Sequence, residues 1–142
     1  DVAGNEAALA RYIAPLREAG SRVSMFIGHQ PELFRASAWI GAAVVELHTG
    51  AYCDAVRERS PQAPALLEGL RATAAEAARL GLEVHAGHGI DYETVKPIAA
   101  IPEVMELNIG HFLIGEAIFV GLTPAIHRMR ALMDEARVGK AA

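Results

Sequence analysis

The sequence predicts an α/β fold in which parallel strands alternate with helices that cover them. Short β-prone runs alternate along the chain with segments of helical periodicity, and this order is typical of βα units. The four β-prone runs lie at residues 22–27, 43–48, 82–86 and 105–109. Two of the runs end close to a glycine beside a histidine, at Gly87-His88-Gly89 and at Gly110-His111. A length of 142 residues, 52% of them hydrophobic, fits one domain.

Each helix has its own signals. Apolar residues recur with the helical period at residues 5–18, 31–40, 61–80, 92–100, 111–120 and 124–137. Gly20 ends the first helix, which Pro15 is expected to kink or shorten. Pro31 suits the first position of the second helix, and Gly81 ends the long third one. Asp91 is the predicted N-cap of the fourth.

Residues 51–60 have no clear period and are predicted to be irregular. The alternation leaves two architectures open, an open doubly wound sheet and part of a (β/α)8 barrel. An extra short helix follows the last strand, and Gly110 and His111 lie at its N-terminus. This helix favours the TIM barrel, because phosphate sites of such barrels are often built at that place. A complete barrel needs about 250 residues. We therefore predict residues 1–142 to be the C-terminal half of a single barrel domain, strands 5–8, without an internal boundary.

Composition excludes several classes of protein. The net charge is −4 and the 13 Lys and Arg residues are scattered, which argues against nucleic-acid binding. No apolar run approaches the ~18–20 residues of a membrane span. The single cysteine, Cys53, excludes an internal disulfide framework and suits a reducing cytoplasm.

The two glycine–histidine pairs are the strongest candidates for chemistry. His88 follows a strand, at the catalytic edge of a βα fold, and an imidazole there can move a proton near neutral pH. Gly110 and His111 begin a helix, whose free N–H groups and dipole can bind a phosphate. The structural alternatives are that His88 only packs in a tight turn and that His111 only caps its helix.

Glu46 and His48 lie two apart on one strand and therefore share a face, while Val45 and Leu47 take the other. In a barrel this places a carboxylate and an imidazole inside, near the mouth. Glu46 could stabilise a developing cation or orient a proton carrier. It could equally belong to a structural ion pair or hydrogen-bonded network.

The remaining reactive side chains are expected to have structural roles. His29 lies in a turn, His85 on a strand and His127 on the surface of the last helix. The histidines and Glu46 have no spacing known for zinc, so we expect no metal site. Cys53 has neither a CxxC partner nor an obvious base, which argues against a nucleophile.

Four segments closely resemble the pyridoxine 5′-phosphate synthase family of vitamin B6 biosynthesis. They are residues 46–50 (ELHTG), 86–89 (AGHG), 98–103 (IAAIPE) and 106–111 (ELNIGH). Residues 1–4 (DVAG), 23–27 (VSMFI) and 132–137 (LMDEAR) fit as well. The resemblance covers essentially the whole chain but only the C-terminal part of the family's chain.

The resemblance implies a (β/α)8 barrel that assembles into a homo-oligomer, an octamer in the family. It implies condensation of 1-deoxy-D-xylulose 5-phosphate with 3-amino-2-oxopropyl phosphate to pyridoxine 5′-phosphate, phosphate and water, without a cofactor or metal. By resemblance, His88 is the proton donor and Glu46 stabilises a transition state. Gly89 contacts substrate, and Gly110 and His111 bind the aminoketone phosphate.

Two positions depart from the family pattern, His85 where an Asn is expected and Gly28-His29-Gln30 where an Asp is more usual. The family's N-terminal part supplies further bases and phosphate ligands, so we expect the 142-residue chain alone to be inactive. The alternatives are another phosphate-binding barrel lyase or isomerase and a non-catalytic half-barrel. A Schiff-base aldolase is disfavoured because Lys96 and Lys140 are predicted on helices or tails.

Overall fold

A computed structural model of the chain describes residues 1–138. Its strands form one four-stranded sheet in chain order, and every neighbouring pair is parallel. The strands are β1 (Ser24–Ile27), β2 (Val44–His48), β3 (Glu83–Gly87) and β4 (Val104–Asn108). The predicted α/β class and the alternation of strands with helices are therefore confirmed.

Seven helices lie within residues 1–138. They are α1 (Glu6–Glu18), α2 (Pro31–Trp39), α3 (Gly50–Arg57), α4 (Ala63–Arg79), α5 (Val95–Ala99), α6 (His111–Val120) and α7 (Leu122–Val138). In this part of the chain no helix is both long enough and apolar enough to cross a membrane.

The prediction of an irregular segment at 51–60 was wrong, because α3 occupies most of it. Tyr52, Cys53 and Ala55 are buried, so tertiary packing stabilises a helix of only eight residues. Pro15 does not shorten α1, which continues to Glu18. Proline lacks the N–H that would bond the carbonyl of Arg11, but Arg11 is exposed and water can take the place of that donor.

The predicted helix at 92–100 is shorter than expected, and its cap differs. Helix α5 has Thr94 as its N-cap, not Asp91. Asp91 Oδ1 instead accepts the N–H groups of Glu93 at 3.0 Å and Thr94 at 2.9 Å. Asp91 thus holds a turn that precedes the helix, which is the usual alternative use of this side chain.

The core lies on one face of the sheet. Val45, Leu47 and Val84 point into it and are fully buried with Phe34 of α2 and Ile98 of α5. The alternation predicted for β2 is thereby confirmed. The apolar strand face beneath the helices fixes the register, and with it the direction of every polar side chain on the other face.

That other face, which we call the open face, carries polar and aromatic side chains in register. Phe26 lies beside Glu46, Glu46 beside His85, and His85 beside Glu106. His85 Nε2 is 2.8 Å from Glu83 Oε1, and Nδ1 is 3.5 Å from Glu106 Oε1. These contacts with two neighbouring carboxylates agree with the structural role expected for His85.

Candidate active site

A cavity of about 710 Å³ opens at the carboxyl ends of the strands. It is lined by residues of β1 and β2, the last residues of α3 and β4, the turn after β3 and the first residues of α6. The predicted site residues that line it are Glu46, His88, Gly89, Gly110 and His111. The structure therefore brings together residues that are far apart in the sequence.

His88 lies in a strained turn directly after β3. Its φ of 77° is in the left-handed region, which costs a non-glycine residue about 1–2 kcal/mol. Thr49, the residue after the neighbouring strand β2, holds this turn. Its Oγ1 lies 2.7 Å from the carbonyl oxygen of His88 and 2.8 Å from that of Gly87. The backbone N–H of Thr49 also donates to the Gly87 carbonyl, at 2.8 Å. The turn presents an exposed His88 side chain to the cavity.

Glu46 reaches across β3 to the neighbouring strand end. Asn108 Nδ2 donates to Glu46 Oε2 at 2.8 Å. The carboxylate passes over Gly87, where a Cβ would lie 2.3 Å from Glu46 Oε1 and 2.9 Å from the Asn108 carbonyl oxygen. A glycine at position 87 is thus what allows the carboxylate of β2 to meet the amide of β4.

Gly110 is the N-cap of α6 and His111 its first residue. The first N–H groups of a helix have no acceptor within it and carry the positive end of the dipole, so this terminus can hold an anion. Tyr92 fixes its position: the ring packs edge-on against Phe112 at 4.7 Å, and the hydroxyl donates to the Ala125 carbonyl at 3.1 Å. These contacts tie the α6 terminus to the segment after His88.

Two further histidines lie near this edge. The His48 ring does not line the cavity but stacks on the His88 ring, with centroids 4.3 Å apart. His29 lies in the turn after β1, as predicted, and partial desolvation lowers the pKa of its imidazole. His127 is exposed on α7, also as predicted.

Cys53 is buried behind the His88 turn, close to Gly89. Burial raises the pKa of its thiol, which disfavours the thiolate that a nucleophile requires. Within residues 1–138 no group of His, Cys, Asp and Glu side chains is arranged to hold a metal ion. Lys96 on α5 pairs with Glu135 at 2.5 Å, and Lys140 lies outside the described residues.

Asn108, Phe26 and Arg57 also line the cavity and were not predicted as site residues from the sequence. The signal for Asn108 was a polar residue at a strand end, two positions before Gly110. Arg57 Nη1 donates to the Gly89 carbonyl at 3.1 Å and pairs with Asp91 at 3.3 Å. Its position depends on α3, the helix that the sequence did not predict.

Comparison with known proteins gives a consistent result. A family model described as "Pyridoxal phosphate biosynthesis protein PdxJ" matches residues 1–135. The chain is 63% identical over 139 residues to the pyridoxine 5′-phosphate synthase of Caulobacter vibrioides, covering 97% of this chain and 55% of that protein. It is 66% identical over 138 residues to the protein of that name from Cereibacter sphaeroides, covering 96% and 55%. The chain spans about half the length of the curated relatives it matches.

Proposed function

The chain belongs to the PdxJ family of pyridoxal phosphate biosynthesis proteins, and we propose that the complete protein is a pyridoxine 5′-phosphate synthase. It condenses 1-deoxy-D-xylulose 5-phosphate with 3-amino-2-oxopropyl phosphate to pyridoxine 5′-phosphate, inorganic phosphate and water. The observation that carries this proposal is that Glu46, His88 and the Gly110-His111 helix terminus line one cavity. A proton carrier, a carboxylate and an anion site are the groups that this reaction needs.

His88 is the proton donor in this proposal. Imine formation, loss of phosphate and water, and aromatisation of the ring all require proton transfer near neutral pH. An imidazole on an exposed side chain at the mouth of the cavity suits that role. Gly89, with a φ of 82°, continues the turn and brings the backbone close to the substrate.

Glu46 stabilises the positive charge that develops on the imine during ring closure. The Asn108 amide holds one carboxylate oxygen at 2.8 Å, so the charge is oriented before the substrate enters. Preorganised charge of this kind contributes most when it does not need to move during the reaction.

The N-terminus of α6 binds the phosphate of the aminoketone. Gly110 leaves the approach open, since a Cβ there would meet nothing within 4 Å. The His111 side chain lines the same cavity and can add a hydrogen bond to the phosphate. The second phosphorylated substrate needs a second anion site, for which we propose Arg57, the one Arg or Lys among the described residues that line the cavity.

We propose that the described residues, 1–138, belong to the C-terminal half of one TIM-barrel domain. The strand order supports this proposal, because a doubly wound sheet reverses its strand order and has helices on both faces. The polar open face then becomes the barrel interior, covered by the other strands of the complete protein. The exposed Ile118 and Phe119 of α6 support self-association into a homo-oligomer. A single free thiol, Cys53, suits a cytoplasmic location.

The test is steady-state formation of pyridoxine 5′-phosphate by the complete protein. We expect Glu46→Gln to keep the fold and to lower kcat by about 10²-fold, because the glutamine oxygen still accepts from Asn108 but carries no charge.

Glu106→Gln is the matched control. Glu106 lies on the same open face, beside His85, but does not line the cavity. We expect its kcat to stay within about twofold of the wild type. Equal losses in both variants, or wild-type kcat in Glu46→Gln, would contradict the role of Glu46.

A further inference from the structure

The last residue of β2 contacts the proposed proton donor through its ring. The imidazoles of His48 and His88 are stacked, with centroids 4.3 Å apart and an interplanar angle of 29°. The Phe26 ring lies near both, with its centroid 5.3 Å from that of His48 and 6.4 Å from that of His88. His48 thus forms a flat surface against which the His88 ring rests.

We propose that His48 is a positioning residue, which holds the His88 imidazole in its proton-donating orientation by stacking. The inference rests on the proposed function, in which His88 is the donor. His48 does not itself line the cavity and is not proposed to touch substrate.

A backbone hydrogen bond fixes the His48 ring. The backbone N–H of Gly50 donates to His48 Nδ1 at 3.3 Å. With Nδ1 as acceptor, the proton of the neutral ring resides on Nε2. His48 is therefore anchored by the first residue of α3 before it meets His88.

The space above α3 fits this pair of rings closely. A Cβ on Gly50 would lie 2.6 Å from His48 Cε1 and 3.0 Å from His88 Cδ2. The absence of a side chain at position 50 is thus what lets both rings pack over the start of the helix. Gly50 therefore leaves room for both histidine rings at the same place.

His88 needs such a contact because its side chain is exposed and its backbone is in the left-handed region. An exposed imidazole samples several staggered rotamers, whereas the proposed proton transfer requires one orientation of the ring. Stacking selects one orientation. Its loss should lower kcat by about twofold to tenfold, because the selected rotamer becomes less populated, and should leave KM nearly unchanged.

Two variants of the complete protein separate the ring from the hydrogen bond. His48→Phe keeps a flat ring against His88 and loses the acceptor for Gly50. His48→Asn keeps an acceptor near the position of Nδ1 and loses the ring. His127→Gln, on the exposed face of α7, is the control for histidine replacement as such.

We expect His48→Asn to show the fall in kcat and His48→Phe to recover most of it, while His127→Gln matches the wild type. A kcat for His48→Asn equal to that of the wild type, or a loss in His48→Phe as large as in His48→Asn, would overturn the proposal.

A second readout does not depend on activity. In protein with ¹³C-labelled histidine, the His88 ring resonance is assigned by its disappearance in His88→Gly. Ring currents from the stacked His48 should shift this resonance, so it should move toward the value of an unstacked imidazole in His48→Asn and stay shifted from that value in His48→Phe. An unmoved resonance in His48→Asn would refute the stacking. If the wild type makes no pyridoxine 5′-phosphate, the proposed function fails, and the resonance still decides whether His48 orients His88.

Discussion

Replacing Thr49 by valine tests how the strained His88 turn is held. Valine has almost the shape of threonine, so Thr49→Val removes the hydroxyl without opening a cavity. Thr49 is 1% exposed, and its Oγ1 lies 2.7 Å from the His88 carbonyl and 2.8 Å from the Gly87 carbonyl. Gly87 keeps a partner, because its carbonyl also accepts the N–H of Thr49 at 2.8 Å.

The loss therefore falls on the His88 carbonyl. Leaving a partly buried carbonyl without a donor destabilises a protein by about 1–3 kcal/mol. The left-handed backbone at His88 carries about 1–2 kcal/mol of strain in the wild type and in the variant alike, so this strain adds nothing to the loss while the turn stays in place and is released if the turn relaxes. We expect the free energy of unfolding to fall by about 2 kcal/mol if the turn stays in place, and by less if it relaxes.

The assay is urea denaturation of the complete protein together with kcat for pyridoxine 5′-phosphate formation. The urea midpoint should fall while the slope m is unchanged. Thr49→Ser is the control, because it keeps the hydroxyl and should keep kcat within about twofold of the wild type. A Thr49→Val variant with both wild-type stability and wild-type kcat would refute this explanation of the turn.

Three further predictions concern the histidines and the cysteine near the site. His88→Gly should lower kcat by about 10²–10⁴-fold, because it removes the imidazole. Its thermal midpoint should equal or exceed that of the wild type, because glycine adopts the positive φ at this position without strain. A lower midpoint would argue against strain at His88. Burial raises the pKa of the Cys53 thiol, so iodoacetamide at pH 8 should modify it only after unfolding. The contribution of this thiol to stability should be complete below about pH 8.5 and lost as the pH rises through the raised folded pKa. Urea midpoints of the wild type and of Cys53→Ala between pH 7 and 10 check the direction of this pH dependence. Partial desolvation lowers the pKa of the His29 imidazole, so its contribution to stability is complete above about pH 6.5 and lost as the pH falls through the lowered folded pKa. His29→Gln should lose less stability than the wild type between pH 7 and pH 5, and an equal loss would contradict the shift.

Much of the fold follows from local patterns. Val45 and Leu47 alternate with Glu46 and His48, and that period alone indicates which side chains face the helices. Helix α3 could not be predicted in this way, because it begins at a glycine directly after the strand and is stabilised by burial. Its apolar residues pack only when α4 and the sheet are already beside it, and a short window of sequence carries no such information.

Sequence patterns predicted individual residues of the site but not the contacts between them. His88 and Gly110 could be recognised because glycine and histidine follow strands at the edge where βα folds carry their chemistry. The bond from Asn108 to Glu46 depends on strands β2 and β4 flanking β3. The stacking of His48 on His88 likewise depends on the register between neighbouring strands, which spacing along the chain does not specify.

The most direct test of the proposed synthase is ³¹P NMR of the complete protein with both phosphorylated substrates. The account predicts that inorganic phosphate and pyridoxine 5′-phosphate appear in equal amounts, only when both substrates are present, and that His88→Gly nearly abolishes both signals. Cleavage or isomerisation of a single substrate, without release of phosphate, would indicate a different barrel enzyme. No change in either substrate would contradict the assignment of catalysis to this site.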